Sequence, residues 1–282
     1  MSELGYEYKN VILKVENVSL KLGENQILRD VNVEIRDVVR PGYTTGQIIG
    51  FLAPSGMGKT KFFECLAGIR KPDTGTILIG EDQKPTKIGR VGVVQQNYPL
   101  FMNKTVLGNM RAAASGFSNK TERNDRIENV LTKFGLADKK SFYPAQLSGG
   151  QKQRAAIAQQ ILCANNFLLM DEPFSGLDIN MINEISDTIK EVAHMHELNT
   201  IIIVSHDIHS TVAISDTIWM MGRDREIKED ESGNQISTII PGAKIKFKYN
   251  LMKRGLAWQD DVENHPEFSK LINEIKGEFP TL

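Results

Sequence analysis

Residues 47–68 leave this chain little freedom in how it folds. Gln47-Ile48-Ile49-Gly50-Phe51-Leu52 is a short, continuous apolar run, the composition of a strand buried on both faces. Ala53-Pro54-Ser55-Gly56-Met57-Gly58-Lys59-Thr60 follows, and the pattern from Lys59 onward predicts a helix ended by Gly68. Strand, glycine-containing loop and helix, in that order, are what a phosphate-binding loop requires. Backbone amides must converge on phosphate oxygens, and glycine lets the chain turn tightly enough to aim them. The helix adds its N-terminal dipole. Lys59 is suited to reach the β- and γ-phosphates of a nucleotide, and Thr60 to place a hydroxyl on Mg²⁺. The plain alternative is a strand-to-helix turn with no ligand.

Two more apolar runs read as buried strands, Phe167-Leu168-Leu169-Met170-Asp171 and Thr200-Ile201-Ile202-Ile203-Val204-Ser205, with a helix over about 179–197 between them. Alternation of strand and helix predicts a mostly parallel sheet with helices on its faces. In such a sheet ligands bind at the carboxyl ends of the strands. Asp171 and Glu172 fall there. Asp171 is suited to the Mg²⁺ shell, and Glu172 to orienting and polarising an attacking water. The bland reading is a charged pair opening a turn at Pro173. His206 follows the third run, and a lone histidine at a strand end is more often structural. Upstream, residues 11–22 and 26–36 alternate and predict two antiparallel strands.

Residues 105–160 are polar and helical in pattern, which predicts an inserted helical subdomain. It ends at Leu147-Ser148-Gly149-Gly150-Gln151. Ser148 fits the N-cap of a helix running from Gln151 to Leu162, with Ala155, Ala158, Ile161 and Leu162 on one stripe. That helix start is a second anion-attracting end, or simply a capped helix.

The loop at 53–60, the run at 147–151, the acids after 167–170, Ser175-Gly176-Leu177-Asp178 and His206 occur in this order on one chain. Together they resemble the ATP-binding cassette (ABC) family of nucleotide-binding subunits, over roughly residues 11 to 222. The resemblance implies an α/β fold. Its P-loop NTPase core is a mostly parallel sheet, with an antiparallel β subdomain and a helical subdomain at about 97–160. Residues 223–282 form a C-terminal extension. It implies an ATPase using ATP and Mg²⁺, with Pro54, Ser55, Gly56, Met57, Gly58, Lys59 and Thr60 around the phosphates. Ser148, Gly149, Gly150 and Gln151 of one subunit then close on the nucleotide of another, in a head-to-tail dimer with Asp178 at the seam. Glu172, His206 and Gln96 become the catalytic set, and Thr60, Gln96 and Asp171 the metal set. Within Val94-Gln95-Gln96-Asn97-Tyr98-Pro99-Leu100-Phe101 the Mg²⁺-sensing glutamine aligns on Gln96 rather than Gln95. Tyr98, Phe101, Met102 and Met110 are expected to rim a groove for a short helix of a membrane permease, or else to pack the helical subdomain.

Two departures from the family pattern stand out. Ala53 replaces the usual first glycine of the loop. Leu22 replaces an aromatic residue that stacks on adenine, unless Tyr6 or Tyr8 folds back to do so. Residues 37–46 lengthen the turn before the third strand. The tail, with Met252-Lys253-Arg254-Gly255-Leu256-Ala257-Trp258 and Pro266-Glu267-Phe268, is similar to tails of the nitrate, sulfonate and taurine importer ATPases. A helix is expected over about 266–277, and charge density rises over Arg223 to Glu231.

The bulk numbers narrow the function classes. The formal net charge of −1 argues against a binder of nucleic acid by bulk charge. Cys65 and Cys163 provide no disulfide framework or ligand set. His194/His196 and His206/His209 lack matching ligands for a metal site. No apolar stretch reaches about 18 residues, and the N-terminus has no signal-peptide pattern. The expectation is a cytoplasmic protein, peripheral on the inner face of the membrane, with permease subunits and a possible substrate-binding protein as partners. The alternatives are a soluble ABC ATPase of DNA repair or translation, and a nucleotide-gated assembly module. The retained Glu172 speaks against the second.

Overall fold

The computed structural model describes residues 5–163, 166–229 and 235–282. Met1 to Leu4, and Asp230 and Glu231 of the charged run, lie outside them. The strands are β1 (Glu7–Leu22), β2 (Asn25–Val39), β3 (Gln47–Leu52), β4 (Thr74–Ile79), β5 (Lys84–Pro85), β6 (Gly92–Val94), β7 (Phe167–Asp171), β8 (Thr200–Ser205), β9 (Thr217–Gly222), β10 (Arg225–Glu229), β11 (Gln235–Ile239) and β12 (Lys244–Asn250). The α-helices are α1 (Lys59–Leu66), α2 (Val106–Ala113), α3 (Lys120–Lys133), α4 (Gly149–Cys163), α5 (Ile179–Ala193), α6 (Ile208–Ile214) and α7 (Pro266–Glu278).

A six-stranded sheet in the order β12-β9-β3-β8-β7-β6 forms the centre, parallel except for the antiparallel pair of β12 and β9. Every residue of β3 and β8 is buried, which is why both read as unbroken apolar runs rather than as alternation. A second sheet, β2-β1-β4-β5, is antiparallel. Its long hairpin packs Val15, Val18, Leu28 and Val31 against α1 and the floor of the central sheet. Helices α2, α3 and α4 form the helical insertion and share a core with α5 and the opposite face of the sheet. The predicted helix over 179–197 stops at Ala193, and the central sheet ends in β12, a strand that the apolar runs do not predict.

Residues 37–46 acquire a physical account. β2 continues to Val39, and Arg40 to Tyr43 make a tight turn. The Arg40 guanidinium then lies 4.4 Å from the Tyr43 ring centre and 4.3 Å from that of Trp258, an arrangement that favours a cation. Tyr6 stacks edge-on to Trp258 at 5.8 Å. Tyr6, Val38, Leu251, Phe268 and Leu271 belong to a third buried cluster, against Leu52, Ile218 and Met220 of the sheet. The first strand, the lengthened turn and the tail are therefore packed together.

Candidate functional site

Strand register gathers the motifs. Leu52 of β3 is level with Ser205 of β8, Val204 of β8 with Asp171 of β7, and Met170 of β7 with Val94 of β6. The residues just past these rungs are Ala53, His206, Glu172 and Gln95, so four separate stretches meet along one carboxyl edge of the sheet.

Glu172 is the centre of that edge. One carboxylate oxygen lies 3.4 Å from Lys59 Nζ, and the other is 2.7 Å from His206 Nδ1 and accepts from the His206 backbone N–H at 3.3 Å. Ser205 Oγ donates to it at 3.4 Å. Glu172 sits at φ 50°, a left-handed conformation that costs a non-glycine residue about 1 kcal/mol or more. Its own N–H, bonded to Val204 O at 2.8 Å, holds it there. Asp171 beside it is half-buried. Burial, reinforced by the Glu172 charge and opposed by Lys59, pushes its carboxyl above the usual range.

Gly56 and Gly58 both take positive φ, at 79° and 85°. Gly58 ends the loop as the residue preceding α1, and the start of that helix has no side-chain cap. The first amides of α1 are thus left for an outside acceptor. A Cβ on Gly58 would lie 2.8 Å from Ile27 Cγ2, so the β1–β2 hairpin backs the loop directly. An open cleft of about 720 Å³ beside it is lined by Thr60, Gln95, Gln96, Asn97, Asp171 and Ser175. Gln96 Nε2 donates to Ser175 Oγ at 3.1 Å.

Ser148 caps α4 by a reciprocal pair: its Oγ accepts from Gln151 N–H at 3.3 Å while Gln151 Oε1 accepts from Ser148 N–H at 3.1 Å. Gly149 has open space around it, and Ser148 to Gln151 do not line the cleft at Thr60. Asp178 caps α5 through Met181 N–H at 2.9 Å.

The sequence profile of ABC transporters matches residues 39–175. The arginine transport ATP-binding protein ArtM of Bacillus subtilis (strain 168) is 33% identical over 219 residues, 74% of this chain and 87% of the relative. The chain belongs to the ABC transporter family, among its ATP-binding subunits. The sulfate/thiosulfate import ATP-binding protein CysA of Gloeobacter violaceus is 34% identical over 265 residues, 93% of this chain and 73% of that one. In fold the subunit resembles cbiO1 from Clostridium perfringens, part of the ABC transporter complex cbiONQ, with a TM-score of 0.70 at 24% identity, over 94% and 100% of the two chains. Membership in the family carries ATP binding and hydrolysis for an ABC transporter.

Several expectations about the ABC subunit change with the geometry. Met110 is fully buried in the helical core and rims no groove, whereas Phe101 and Met102 are 51% and 61% exposed. Asn109 accounts for this, and nothing in the sequence reading singled it out. Its buried amide accepts from Phe101 N–H at 2.8 Å and donates to the carbonyls of Phe101, Lys104 and Thr105 at 3.0–3.2 Å. Tyr98 is anchored inward instead, its hydroxyl donating to Pro173 O at 3.1 Å, and burial raises its phenol to about 12. Tyr6 is in the third core cluster and Tyr8 bonds Asn250 at 2.6 Å. Both sit at the far end of the β1–β2 hairpin from Leu22, so neither folds back to a base. Leu22 stands partly exposed beside the hairpin turn.

Proposed function

We propose that the subunit drives an importer, working as a two-fold, head-to-tail dimer on the cytoplasmic face of a membrane permease. The observation that carries the chemical part is the position of Glu172 between Lys59 and His206 at the carboxyl edge of the sheet. Transport relatives such as the arginine and sulfate/thiosulfate proteins favour this reading over an ATPase of DNA repair or translation.

The residues fit the nucleotide and its metal. Thr60, Asp171 and Gln96 line one cleft and offer a hydroxyl, a carboxylate and an amide oxygen, the hard oxygen donors that suit Mg²⁺. These three would hold the ion, which would neutralise charge on the phosphate oxygens. Pro54 to Thr60 would wrap the phosphates with backbone amides. Lys59 Nζ lies 3.4 Å from the Glu172 carboxylate. Phosphates in the loop would engage Lys59 and leave Glu172 to accept a proton from the attacking water. His206, bonded to the same carboxylate, orients it. Ser148, Gly149, Gly150 and Gln151 of a second subunit would complete the site from the other side with the start of their helix. Residues 223–282 extend the nucleotide-binding unit of 1–222. Phe101 and Met102 offer the permease an apolar, adaptable contact.

The test is hydrolysis by purified protein. Glu172→Gln is expected to bind ATP like the parent and to turn it over at least about a hundredfold more slowly. Lys59→Ala is expected to lose affinity itself. Parental turnover in Glu172→Gln would remove Glu172 from the mechanism.

A further inference from the structure

The phosphate loop is contacted by a residue that belongs to none of the motifs at 94–101, 147–151, 171–178 and 206. Arg223, the residue after β9, donates from its guanidinium to the carbonyl oxygen of Gly56 at 3.3 Å. Gly56 is at φ 79°, and a Cβ placed on it would meet nothing within 4 Å. Glycine is thus required there for backbone conformation, not for space. The same freedom lets the Gly56–Met57 peptide flip. In a planar trans peptide the C=O and the following N–H point to opposite sides. A carbonyl turned out toward Arg223 leaves the Met57 N–H on the other side of the loop. A flipped peptide would instead present a carbonyl oxygen where an anion must bind.

We infer that Arg223 is a positioning residue for nucleotide binding, holding the Gly56–Met57 peptide in its anion-binding orientation. Its own placement is secured on both sides. The Arg223 N–H meets Leu282 O at 3.5 Å, and Arg225 donates to Pro280 O at 3.4 Å. Asp224 between them is held by Arg29 at 2.6 Å, Lys244 at 2.5 Å and Lys246 at 2.7 Å. Arg29 is on β2, close to the Ile27 that touches Gly58. The tail and the hairpin therefore fix the backbone from which Arg223 reaches the loop. One exposed charged hydrogen bond changes affinity by roughly three- to tenfold.

The inference rests on residues 53–60 being the ATP site, and the experiment separates the two. ATP affinity, steady-state turnover and thermal melting without nucleotide are measured for the parent, Arg223→Met, Arg223→Lys and Lys59→Ala. The expectation for Arg223→Met is roughly three- to tenfold weaker affinity, with kcat held, kcat/KM lowered by the same factor and melting unchanged. Arg223→Lys, which keeps a donor, should recover part of the loss. Parental affinity in Arg223→Met, or a loss that comes with an equally destabilised fold, overturns the inference. If Lys59→Ala binds ATP like the parent, the reading of the loop fails instead, and the inference with it.

Discussion

Asp216 shows how one buried group can make the fold sensitive to pH. It is 4% exposed, its carboxylate accepts from Ile48 N–H at 2.8 Å, and its own N–H donates to Ile48 O at 2.8 Å. Burial pushes its carboxyl up to about 7 from 3.8, against the backbone hydrogen bond from Ile48 and the charge of Arg40. A carboxyl raised on folding contributes stability that is full below its unfolded value and is lost as pH climbs through the folded one. The affected window thus runs from about 4 to about 7. Asn at this position keeps an acceptor for Ile48 and does not titrate. Asp216→Asn is therefore expected to gain on the order of 2 kcal/mol relative to the parent between pH 5 and pH 8. Urea unfolding at the two pH values measures it, and equal differences at both would show that Asp216 does not titrate in this range.

The loop between β6 and α2 projects Phe101 and Met102 outward because Asn109 ties down the backbone on either side. An aspartate at an exposed Phe101 meets water, whereas one forced into a core would cost several kcal/mol. Phe101→Asp is accordingly expected to stay soluble and to keep basal ATP turnover within about twofold of the parent, yet to lose co-purification with the membrane fraction of the producing cells. Insoluble protein would mean that Phe101 packs inward. What could be read beforehand follows from the type of pattern. β3, β7 and β8 were found to the residue because strands buried on both faces are short apolar runs closed by loops. β12 was passed over although Ile245, Phe247 and Tyr249 alternate with Lys244, Lys246 and Lys248, since most of its side chains are only half-buried. The meeting of Lys59, Glu172 and His206 at one sheet edge is legible, since local motifs carry all three. The contacts of Asn109 and Arg223 are not, since they reach a loop eight residues away and one 167 residues away. Met110 takes the second of its two expected roles, packing the helical core, since methionine serves a core and a docking surface equally well.

On the proposed reading both halves of a nucleotide clamp lie in this chain; Ser148 to Gln151 do not line the cleft at Thr60, and a second copy would close it. ATP should therefore favour a dimer by mass action, most of all in Glu172→Gln, where hydrolysis cannot dissolve it. Sedimentation at tens of micromolar protein, with and without MgATP, gives the answer. A monomer at saturating ATP would exclude the homodimer and point to a different second subunit. The contact between Tyr6 and Trp258 bears on how the chain is made. The other buried members of the third cluster lie at residue 212 and beyond, apart from Val38 and Leu52. At about 5–20 residues per second a ribosome needs roughly 12–50 s to pass from the first of these to the last. Through that interval the outer end of the β1–β2 hairpin waits with its apolar face incompletely covered. That face closes only once residues 249–282, the late members of the cluster, have been made.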